Sequence, residues 1–347
     1  MPQSEFQNVS IMGDGGMGTV VAMLLCEKGI ATRMWGHDAR QLDEMARKRE
    51  NKRFLPGYPL PSPLAFDSED ARVMVGADVI VSAIPCQYMR AVWSRLKAHV
   101  PLGVPIVSVA KGIENRTLLR PTQILTDVLG EGTPKAVLSG PTIADELARR
   151  LPATACAAAE DEGFAVRIQR TFTCPWLRVY RNPDVVGVEL AGAMKNVIAI
   201  AAGIIDGIGA GDNAKAALLA RGLAEIRRLG LAMGAAEQTF AGLTGLGDLV
   251  TTCISPFGRN RSFGERIGQG QTLAEGRDAT DSVVEGIATC ESVVALASRY
   301  QVEMPITRAV YEVLFEDKPV QSAIDDLMSR RLKAESGVLG SGGIRTT

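Results

Sequence analysis

The 347-residue sequence predicts an α/β fold, in which helices cover both faces of a parallel sheet and an all-helical domain follows. Three observations support this prediction. Short apolar runs alternate with helical patterns in the first half of the chain. From about residue 185 onward, the apolar residues recur at helical spacing. The composition, 46% hydrophobic and 22% charged, is that of an ordinary globular protein.

The strands are the clearest elements of the N-terminal half. Each predicted strand is a short apolar run bounded by glycine, proline or polar residues. A helix with Val20, Val21, Leu24 and Leu25 at helical spacing and Gly29 as its C-cap joins the first strand to the second. The predicted strands are 9–12, 31–35, 78–84, 105–109 and 136–139.

The second half of the chain has the pattern of a helical domain. The segment 185–205 is apolar, rich in alanine and glycine, and too long for a strand. Further helices are predicted at 214–231, 282–299 and 304–315. We therefore expect three parts: a sheet domain in residues 1–184, a helical domain in 185–335, and a disordered Gly/Ser-rich tail in 336–347.

The loop after the first strand has the sequence Gly-Asp-Gly-Gly-Met-Gly at 13–18. This spacing, between a strand and a helix, is typical of Rossmann domains that bind NAD(H) or NADP(H). Gly13 permits the tight turn, Gly15 lets the main chain approach a pyrophosphate, and Gly18 lets helix and strand pack closely. Free N–H groups at the helix N-terminus attract the phosphates. An incidental glycine-rich turn is the alternative.

The end of the second strand should contact the adenosine ribose of the cofactor. An acid there binds the ribose hydroxyls of NAD(H), whereas a basic residue accepts the 2′-phosphate of NADP(H). Asp38 lies about 20 residues beyond the glycine loop, as the NAD(H) pattern requires. His37 and Arg40 favour NADP(H), which is the cofactor we predict, with NAD(H) as the alternative. His37 could equally be an ordinary surface histidine.

Polar residues follow the predicted strands at the sheet edge where ligands bind in open α/β folds. Lys111 follows strand 105–109, and we expect it to belong to a ligand site rather than to be a solvated lysine. Ser139 ends strand 136–139 and Thr142 follows it; a ligand site and helix capping explain these two residue types equally well.

Lys195 is the most informative residue of the helical domain, because it lies in an otherwise apolar helix. Desolvation disfavours the ammonium form, so the pKa of a lysine there should fall. Such a lysine suits general acid–base catalysis of a carbonyl–alcohol interconversion. The alternative is a lysine whose ammonium reaches the surface along its own stem.

Three further charged residues stand out in the helical domain. Asp248 lies among small and apolar residues, where it could pair with Lys195 or cap a helix. Arg259 lies in a short basic turn and could hold a phosphate with two hydrogen bonds, or lie in an exposed loop. Glu285 follows two valines, and a surface glutamate is the alternative.

Composition excludes several classes of protein. The net charge of −1 provides no field for nucleic acid or a membrane surface. We find no stretch approaching the roughly 18 apolar residues that cross a bilayer, and residues 1–7 lack the order of a signal peptide. Six scattered cysteines and two histidines argue against a metal site and a disulfide framework. We expect a cytoplasmic protein, and its apolar helices are compatible with a homodimer.

Taken together, the motifs resemble those of the bacterial NAD(P)-dependent glycerol-3-phosphate dehydrogenases. The resemblance runs from Val9 to about Arg331, and the motifs occur in the family's order. They are the glycine loop, Trp-Gly-His-Asp at 35–38, Ala-Lys-Gly-Ile-Glu at 110–114, Ser-Gly-Pro-Thr at 139–142, Lys-Asn-Val-Ile-Ala at 195–199, Gly-Leu-Gly-Asp-Leu at 245–249, Gly-Arg-Asn-Arg at 258–261 and Val-Val-Glu-Gly at 283–286.

The resemblance implies reduction of dihydroxyacetone phosphate to sn-glycerol 3-phosphate for glycerophospholipid synthesis, in a cleft between the two domains. Lys195 would be the general acid/base, with Lys111 and Asp248 as its catalytic partners. Residues implied to contact the substrate are Lys111, Gly140, Thr142, Lys195, Asn196, Asp248, Gly258, Arg259 and Asn260. Residues implied to contact the cofactor are Gly13, Gly15, Gly16, Met17, Gly18, His37, Lys111, Ala144, Arg259 and Glu285.

The glycine loop departs most from the family pattern. The family usually has alanine at Asp14, and a small polar and an aromatic residue at Gly16 and Met17. We expect Asp14 to weaken pyrophosphate binding unless its carboxylate faces away or is paired. Gly258 replaces a residue that is often serine, so a hydroxyl contact to phosphate is lost. The rivals are a reductase of a β-hydroxy acid or 2-ketoacid and a catalytically inactive dinucleotide sensor.

Overall fold

The computed structural model describes residues 5–280 and 282–332. The strands are β1 (Asn8–Met12), β2 (Ala31–Trp35), β3 (Glu50–Asn51), β4 (Leu55–Pro59), β5 (Ala65–Phe66), β6 (Val79–Ser82), β7 (Ile106–Ser108), β8 (Lys135–Ser139), β9 (Ala153–Ala158) and β10 (Leu177–Asn182). The first seven helices are α1 (Gly16–Glu27), α2 (Ala39–Lys48), α3 (Asp70–Val73), α4 (Cys86–Leu96), α5 (Pro121–Leu129), α6 (Ala144–Ala148) and α7 (Glu162–Phe172), with a 3₁₀ turn at Lys97–His99.

The other helices belong to the C-terminal half. They are α8 (Val185–Gly207), α9 (Gly211–Ala232), α10 (Glu237–Ala241), α11 (Asp248–Ile254), α12 (Arg259–Gly268), α13 (Leu273–Asp278), α14 (Glu285–Arg299), α15 (Pro305–Phe315) and α16 (Val320–Met328), with a π-helical turn at Leu243–Gly247 before α11. The α/β prediction with a helical second domain is confirmed. The predicted helix start at 282 is three residues too early, because α14 begins at Glu285, and the tail predicted at 336–347 lies outside the described residues.

Eight strands form one sheet in the order β10-β9-β8-β7-β6-β1-β2-β5, and β3 and β4 form a separate hairpin. The pairs are parallel except β8 with β9, so the predicted parallel sheet is present, with one antiparallel pair that the sequence analysis does not predict. Strand β9 was also missed, because its sequence, Ala-Thr-Ala-Cys-Ala-Ala, is poor in β-branched residues. Strand β10 was not predicted either, although its sequence, Leu-Arg-Val-Tyr-Arg-Asn, begins with the alternation of apolar and polar residues that is typical of a strand with one buried face.

Helix α8 runs through the core of the helical domain. It is long and apolar enough to cross a membrane by composition, so the expectation that no stretch approaches that length is wrong. However, 94% of its most apolar window is buried inside the protein. A helix that is hydrophobic on all sides is buried either in lipid or in a protein core, and here it is in the core.

Where helices α8 and α12 cross, their main chains are in direct contact. A Cβ on Gly203 of α8 would lie 1.9 Å from the carbonyl oxygen of Arg261. A Cβ on Gly264 of α12 would lie 2.0 Å from the carbonyl oxygen of Ile200. Only glycine permits this approach. The crossing brings the first turn of α12 beside the middle of α8, where Lys195 lies.

A buried ion pair joins the helical domain to the sheet domain. Glu189 of α8 pairs with Arg120, the N-cap residue of α5. Its other oxygen accepts a hydrogen bond from Thr122 N at 2.7 Å. Burial raises the pKa of Glu189, and Arg120 and Thr122 oppose that shift. This pair sets the position of the first turns of α8 against the sheet, and therefore the position of Lys195.

Candidate active site

Lys195 and Asp248 are both buried charged residues, with 5% and 2% exposure. Lys195 lies near the middle of α8, and Asp248 is the first residue of α11, directly after the π-helical turn. Such turns occur often at functional sites. The ammonium Nζ of Lys195 lies 2.9 Å from Oδ1 of Asp248. The ammonium of Lys195 therefore does not reach solvent along its aliphatic stem, and Asp248 does pair with it.

Lys111 completes the cluster from the sheet domain. Its Nζ lies 2.7 Å from Oδ2 of Asp248, so the two carboxylate oxygens bind one lysine each. With two cations and one anion, the cluster of Lys111, Lys195 and Asp248 has an excess positive charge. It is therefore suited to an oxygen that becomes negative during a reaction.

Burial lowers the pKa of Lys195 to about 8, with a further lowering from the positive charge of Lys111. Asp248 opposes the shift because it favours the charged ammonium. A lysine with a pKa near 8 can both donate and accept a proton close to neutral pH. The pKa lowering that the apolar helix predicts is therefore present.

Thr252 is a site residue that our sequence reasoning missed. Its hydroxyl donates to Oδ1 of Asp248 at 3.3 Å and accepts a hydrogen bond from Lys195 Nζ. It lies four residues after Asp248 on α11, on the same face of the helix. The spacing 248–252 within a helix was the signal that could have found it.

Lys111 is held by the loop after β8. Its Nζ donates to the Gly140 carbonyl oxygen at 2.8 Å and lies 3.4 Å from Thr142 Oγ1. Gly140 has a φ of +128°, which glycine adopts most readily. The hydroxyl of Ser139 is buried without a hydrogen-bond partner in the described part of the chain. Helix α6 begins at Ala144 and has no side-chain cap, so capping does not explain Thr142.

A chain of amides links the two domains beside Lys111. Asn196 Nδ2 donates to the Lys111 carbonyl oxygen at 3.0 Å. Asn260 Nδ2 donates to Asn196 Oδ1 at 3.0 Å, and Gly286 N donates to Asn260 Oδ1 at 2.9 Å. Asn196 is only 4% exposed, so these bonds position the main chain of Lys111.

Arg259 is exposed at the first position of α12, after Gly258 as N-cap. Its Nη1 donates to the Val283 carbonyl oxygen at 3.2 Å. Within residues 5–280 and 282–332, no carboxylate oxygen forms an ion pair with it at 4.0 Å or less. The guanidinium and the uncapped N-terminus of α12 therefore remain available to an anion.

Glu285 reaches from the helical domain to the sheet domain. Its Oε1 accepts a hydrogen bond from Cys86 N at 3.2 Å, at the N-terminus of α4. Burial raises the pKa of Glu285, and Arg259 opposes that shift. The alternative of an isolated surface glutamate is therefore wrong.

The glycine loop has the geometry of a pyrophosphate cradle. Gly13 has a φ of +123°, and a Cβ there would lie 2.6 Å from the Ala83 carbonyl oxygen. A Cβ on Gly18 would lie 2.2 Å from the Gly13 carbonyl oxygen, so helix and strand do pack closely. A Cβ on Gly15 meets no atom within 4 Å, and no side chain caps α1. The space beside Gly15 thus fits a dinucleotide phosphate.

Other residues of the expected cofactor site lie around this loop. Met17 packs against the core of the sheet domain, and a Cβ on Gly16 would lie 3.6 Å from the Cβ of Ala144. His37 is exposed at the end of β2. Asp38 is the N-cap of α2, where its Oδ1 accepts from Arg40 N at 2.9 Å.

Within residues 5–280 and 282–332, no three His, Cys, Asp or Glu side chains lie close enough together to hold a metal ion. All six cysteines are free thiols.

A glycine loop with Rossmann geometry in the sheet domain, together with a buried lysine–aspartate pair that contacts Lys111 of the same domain, is the combination expected of a nicotinamide-dependent dehydrogenase. The model for the N-terminus of NAD-dependent glycerol-3-phosphate dehydrogenase matches residues 8–165, and the model for the C-terminus matches residues 184–325. This chain therefore belongs to the NAD-dependent glycerol-3-phosphate dehydrogenase family, as its sequence motifs predict.

Known proteins agree with this assignment. The chain is 46% identical to a glycerol-3-phosphate dehydrogenase [NAD(P)+] of Geobacter sulfurreducens, over 95% of this chain and 99% of that protein. It is 46% identical to glycerol-3-phosphate dehydrogenase [NAD(P)+] 2 of Mycobacterium tuberculosis, over 94% and 98%. The crystal structure of glycerol-3-phosphate dehydrogenase from Coxiella burnetii superposes with a TM-score of 0.90 at 36% identity, covering 93% of this chain and 99% of that one.

Proposed function

We propose that this protein reduces dihydroxyacetone phosphate to sn-glycerol 3-phosphate, with NADH or NADPH as the reductant and Lys195 as the proton donor. The observation that carries the proposal is the buried Lys195, 2.9 Å from Asp248, in an apolar helix of the family's C-terminal domain. The product is the backbone of glycerophospholipids, whose synthesis it would supply.

The residues of the cluster act on the ketone oxygen. When bound, the reduced nicotinamide supplies the hydride to the carbonyl carbon. Lys195 gives a proton to the oxygen, which would otherwise become an alkoxide. Lys111 adds positive charge beside the same oxygen, and Asp248 holds both ammonium groups in place. In the oxidation of glycerol 3-phosphate, neutral Lys195 accepts the proton.

The substrate phosphate binds at the start of α12 in this proposal. Arg259 and the second N–H of Asn260 Nδ2 donate to it, assisted by the helix N-terminus at Gly258. Gly140, Thr142 and Asn196 line the ketone end around Lys111. The residues that we propose around the cofactor are Gly13, Gly15, Gly16, Met17, Gly18, His37, Lys111, Ala144, Arg259 and Glu285.

The direct test follows the oxidation of NADH and of NADPH separately in the presence of dihydroxyacetone phosphate. We expect turnover with at least one of them. Dihydroxyacetone, which lacks the phosphate, is the matched control and should react poorly. No oxidation with either cofactor would contradict the proposal and favour a 2-ketoacid reductase or an inactive dinucleotide sensor.

Replacing Arg259 by alanine should raise KM for dihydroxyacetone phosphate roughly tenfold to hundredfold, because hydrogen bonds to a charged phosphate are lost. Arg259→Lys keeps the charge but not the paired geometry, so it should recover only part of the loss. Steady-state kinetics measure both effects. The control is Arg277→Ala, which removes an exposed arginine of α13. An unchanged KM in Arg259→Ala would exclude this phosphate contact.

The rate of ketone reduction should fall as the pH rises through about 8, the pKa of Lys195, because only the ammonium form donates a proton. The rate of alcohol oxidation should rise over the same interval, since it needs the neutral amine. Measurement of kcat/KM in both directions from pH 6 to pH 10 tests this. Two profiles that move in the same direction would contradict the role of Lys195.

We also propose that residues 1–184 bind the cofactor and that residues 185–335 supply the proton donor. The free thiols are compatible with a reducing compartment, so we place the protein in the cytoplasm. The homodimer stays a prediction. Light scattering should give about twice the 37.0 kDa of one chain, and a mass of one chain would contradict it.

A further inference from the structure

The carboxylate of Asp14 lies at the end of β2 rather than beside Gly15. Met12 pairs with Trp35 in the parallel β1–β2 ladder, and Gly13 N donates to the Trp35 carbonyl oxygen at 2.9 Å. Gly13 and Asp14, which follow β1, therefore lie beside Gly36, which follows β2. A Cβ on Gly36 would lie only 2.8 Å from Cγ and Oδ2 of Asp14. Asp14 therefore meets the exception stated in the sequence analysis, because its carboxylate turns toward Gly36 and is hydrogen-bonded.

Both ends of Asp14 are held in place. Its Oδ2 accepts a hydrogen bond from Gln41 Nε2 of α2 at 2.8 Å. Its carbonyl oxygen accepts one from Asn51 Nδ2 at 2.8 Å, and that amide also lies 2.8 Å from Thr19 Oγ1. No other residue of 5–280 or 282–332 donates a hydrogen bond to Oδ1 of Asp14, although the main-chain N–H of Asp14 itself stabilises the carboxylate. One carboxylate oxygen is therefore oriented by the protein and the other is available.

The end of β2 is where Rossmann domains distinguish NAD(H) from NADP(H). Asp38, the acid that the sequence offers for this role, uses its Oδ1 to cap α2. Asp14 reaches the same place from the glycine loop. It therefore supplies a second acid, with a free oxygen, beside the ribose position.

Basic residues also surround this position. His37, Arg40 and Arg53 are exposed, and Arg53 Nη1 contacts Oε1 of Gln41 at 3.2 Å. Asp14 is partly buried, and burial is the main cause that raises its pKa. The negative charge of Asp38 also raises it, whereas the main-chain N–H of Asp14, Arg53 and His37 favour the ionised form. A partly buried carboxylate that the protein orients interacts with a ligand more strongly than exposed, solvated cations do.

We propose that Asp14 selects the cofactor: its carboxylate accepts the adenosine ribose hydroxyls of NAD(H) and repels the 2′-phosphate of NADP(H). The inference rests on the proposed function and reverses the NADP(H) preference that His37 and Arg40 favour on their own. Gln41 is a positioning residue, because it orients Asp14 through Oδ2.

The first test needs no turnover. 5′-AMP and adenosine 2′,5′-bisphosphate differ only in the 2′-phosphate, and each is titrated into the wild-type protein by calorimetry. We expect 5′-AMP to bind at least tenfold more tightly, the effect of one repelled charge. Equal binding, or tighter binding of the bisphosphate, would overturn the proposal.

The second test compares Asp14→Ala and Asp14→Asn with Asp43→Asn, which removes an exposed carboxylate of α2. In Asp14→Ala, the Kd of NADH should rise about tenfold and the Kd of NADPH should fall about tenfold, as one charged hydrogen bond and one repulsion are lost. In Asp14→Asn, NADPH should gain while NADH changes little, because the amide still accepts from the ribose. Asp43→Asn should leave both constants unchanged. Circular dichroism confirms that each variant is folded.

The outcomes separate this inference from the proposed function. The role of Asp14 would be overturned if the ratio of the Kd of NADPH to the Kd of NADH changed less than about threefold in both Asp14 variants. It would also be overturned if Asp43→Asn changed this ratio as much as the Asp14 variants do. Activity with dihydroxyacetone phosphate would survive that result. Absence of wild-type activity with both cofactors would instead contradict the proposed function, while the binding ratios would still test Asp14.

Discussion

Replacing Lys195 by alanine should lower kcat for dihydroxyacetone phosphate reduction by about 10²- to 10⁴-fold, the contribution of a placed general acid. The proton donor is lost, and the nearest other ammonium, that of Lys111, is bound to Gly140 O and to Asp248. The Kd of NADH should change little, because the glycine loop lies in the sheet domain. Pre-steady-state kinetics and fluorescence titration measure the two quantities.

Two controls separate lost chemistry from lost structure. Lys195→Met keeps most of the buried volume and should be as inactive as Lys195→Ala, although it packs better. Small primary amines added to Lys195→Ala should restore part of the rate, more so for amines with a pKa near 8, since they replace the missing acid. Near-normal turnover of either variant would contradict the assignment of Lys195 as proton donor.

Replacing Asp248 by asparagine should produce the second large effect. The two lysine ammonium groups of the cluster would lose their shared counter-charge, which costs about 3–5 kcal/mol when one partner of a buried pair is removed. Deprotonation of Lys195 is the cheapest way to relieve that repulsion. Asp248 raises the pKa of Lys195, so its removal should lower that pKa below about 8.

The pH profile distinguishes this charge effect from simple loss of packing. Reduction needs the ammonium form, so the pH at which Asp248→Asn loses activity should move downward. Urea denaturation measures the accompanying loss in free energy of unfolding. Thr252→Val is the matched control: it removes the hydroxyl that bonds to both Asp248 and Lys195 but leaves the charges, so its profile should move less. A profile of Asp248→Asn that matches the wild type would contradict the electrostatic coupling of Asp248 to Lys195.

Local patterns predicted most of the fold. Five of the ten strands, β1, β2, β6, β7 and β8, were found because apolar periodicity depends only on residues close in the chain. Strand β9 was missed because its alanine-rich sequence forms a strand through pairing with β8 and β10, which no local pattern records. The composition of α8 fits a membrane helix as well as a core helix, and only its burial inside the protein identifies it as a core helix.

Some features of the site follow from the sequence by itself. Gly13 and Gly18 are required by sterics within one turn, and an apolar helix around Lys195 already implies a lowered pKa. Tertiary structure alone decided that Lys111 and Asp248, 137 residues apart, share one carboxylate–ammonium contact. It also decided that Asp14 turns toward Gly36 and away from the pyrophosphate. The physical reason is that side-chain direction and long-range ion pairs depend on how distant strands and helices pack, whereas glycine sterics and helix burial depend on near neighbours.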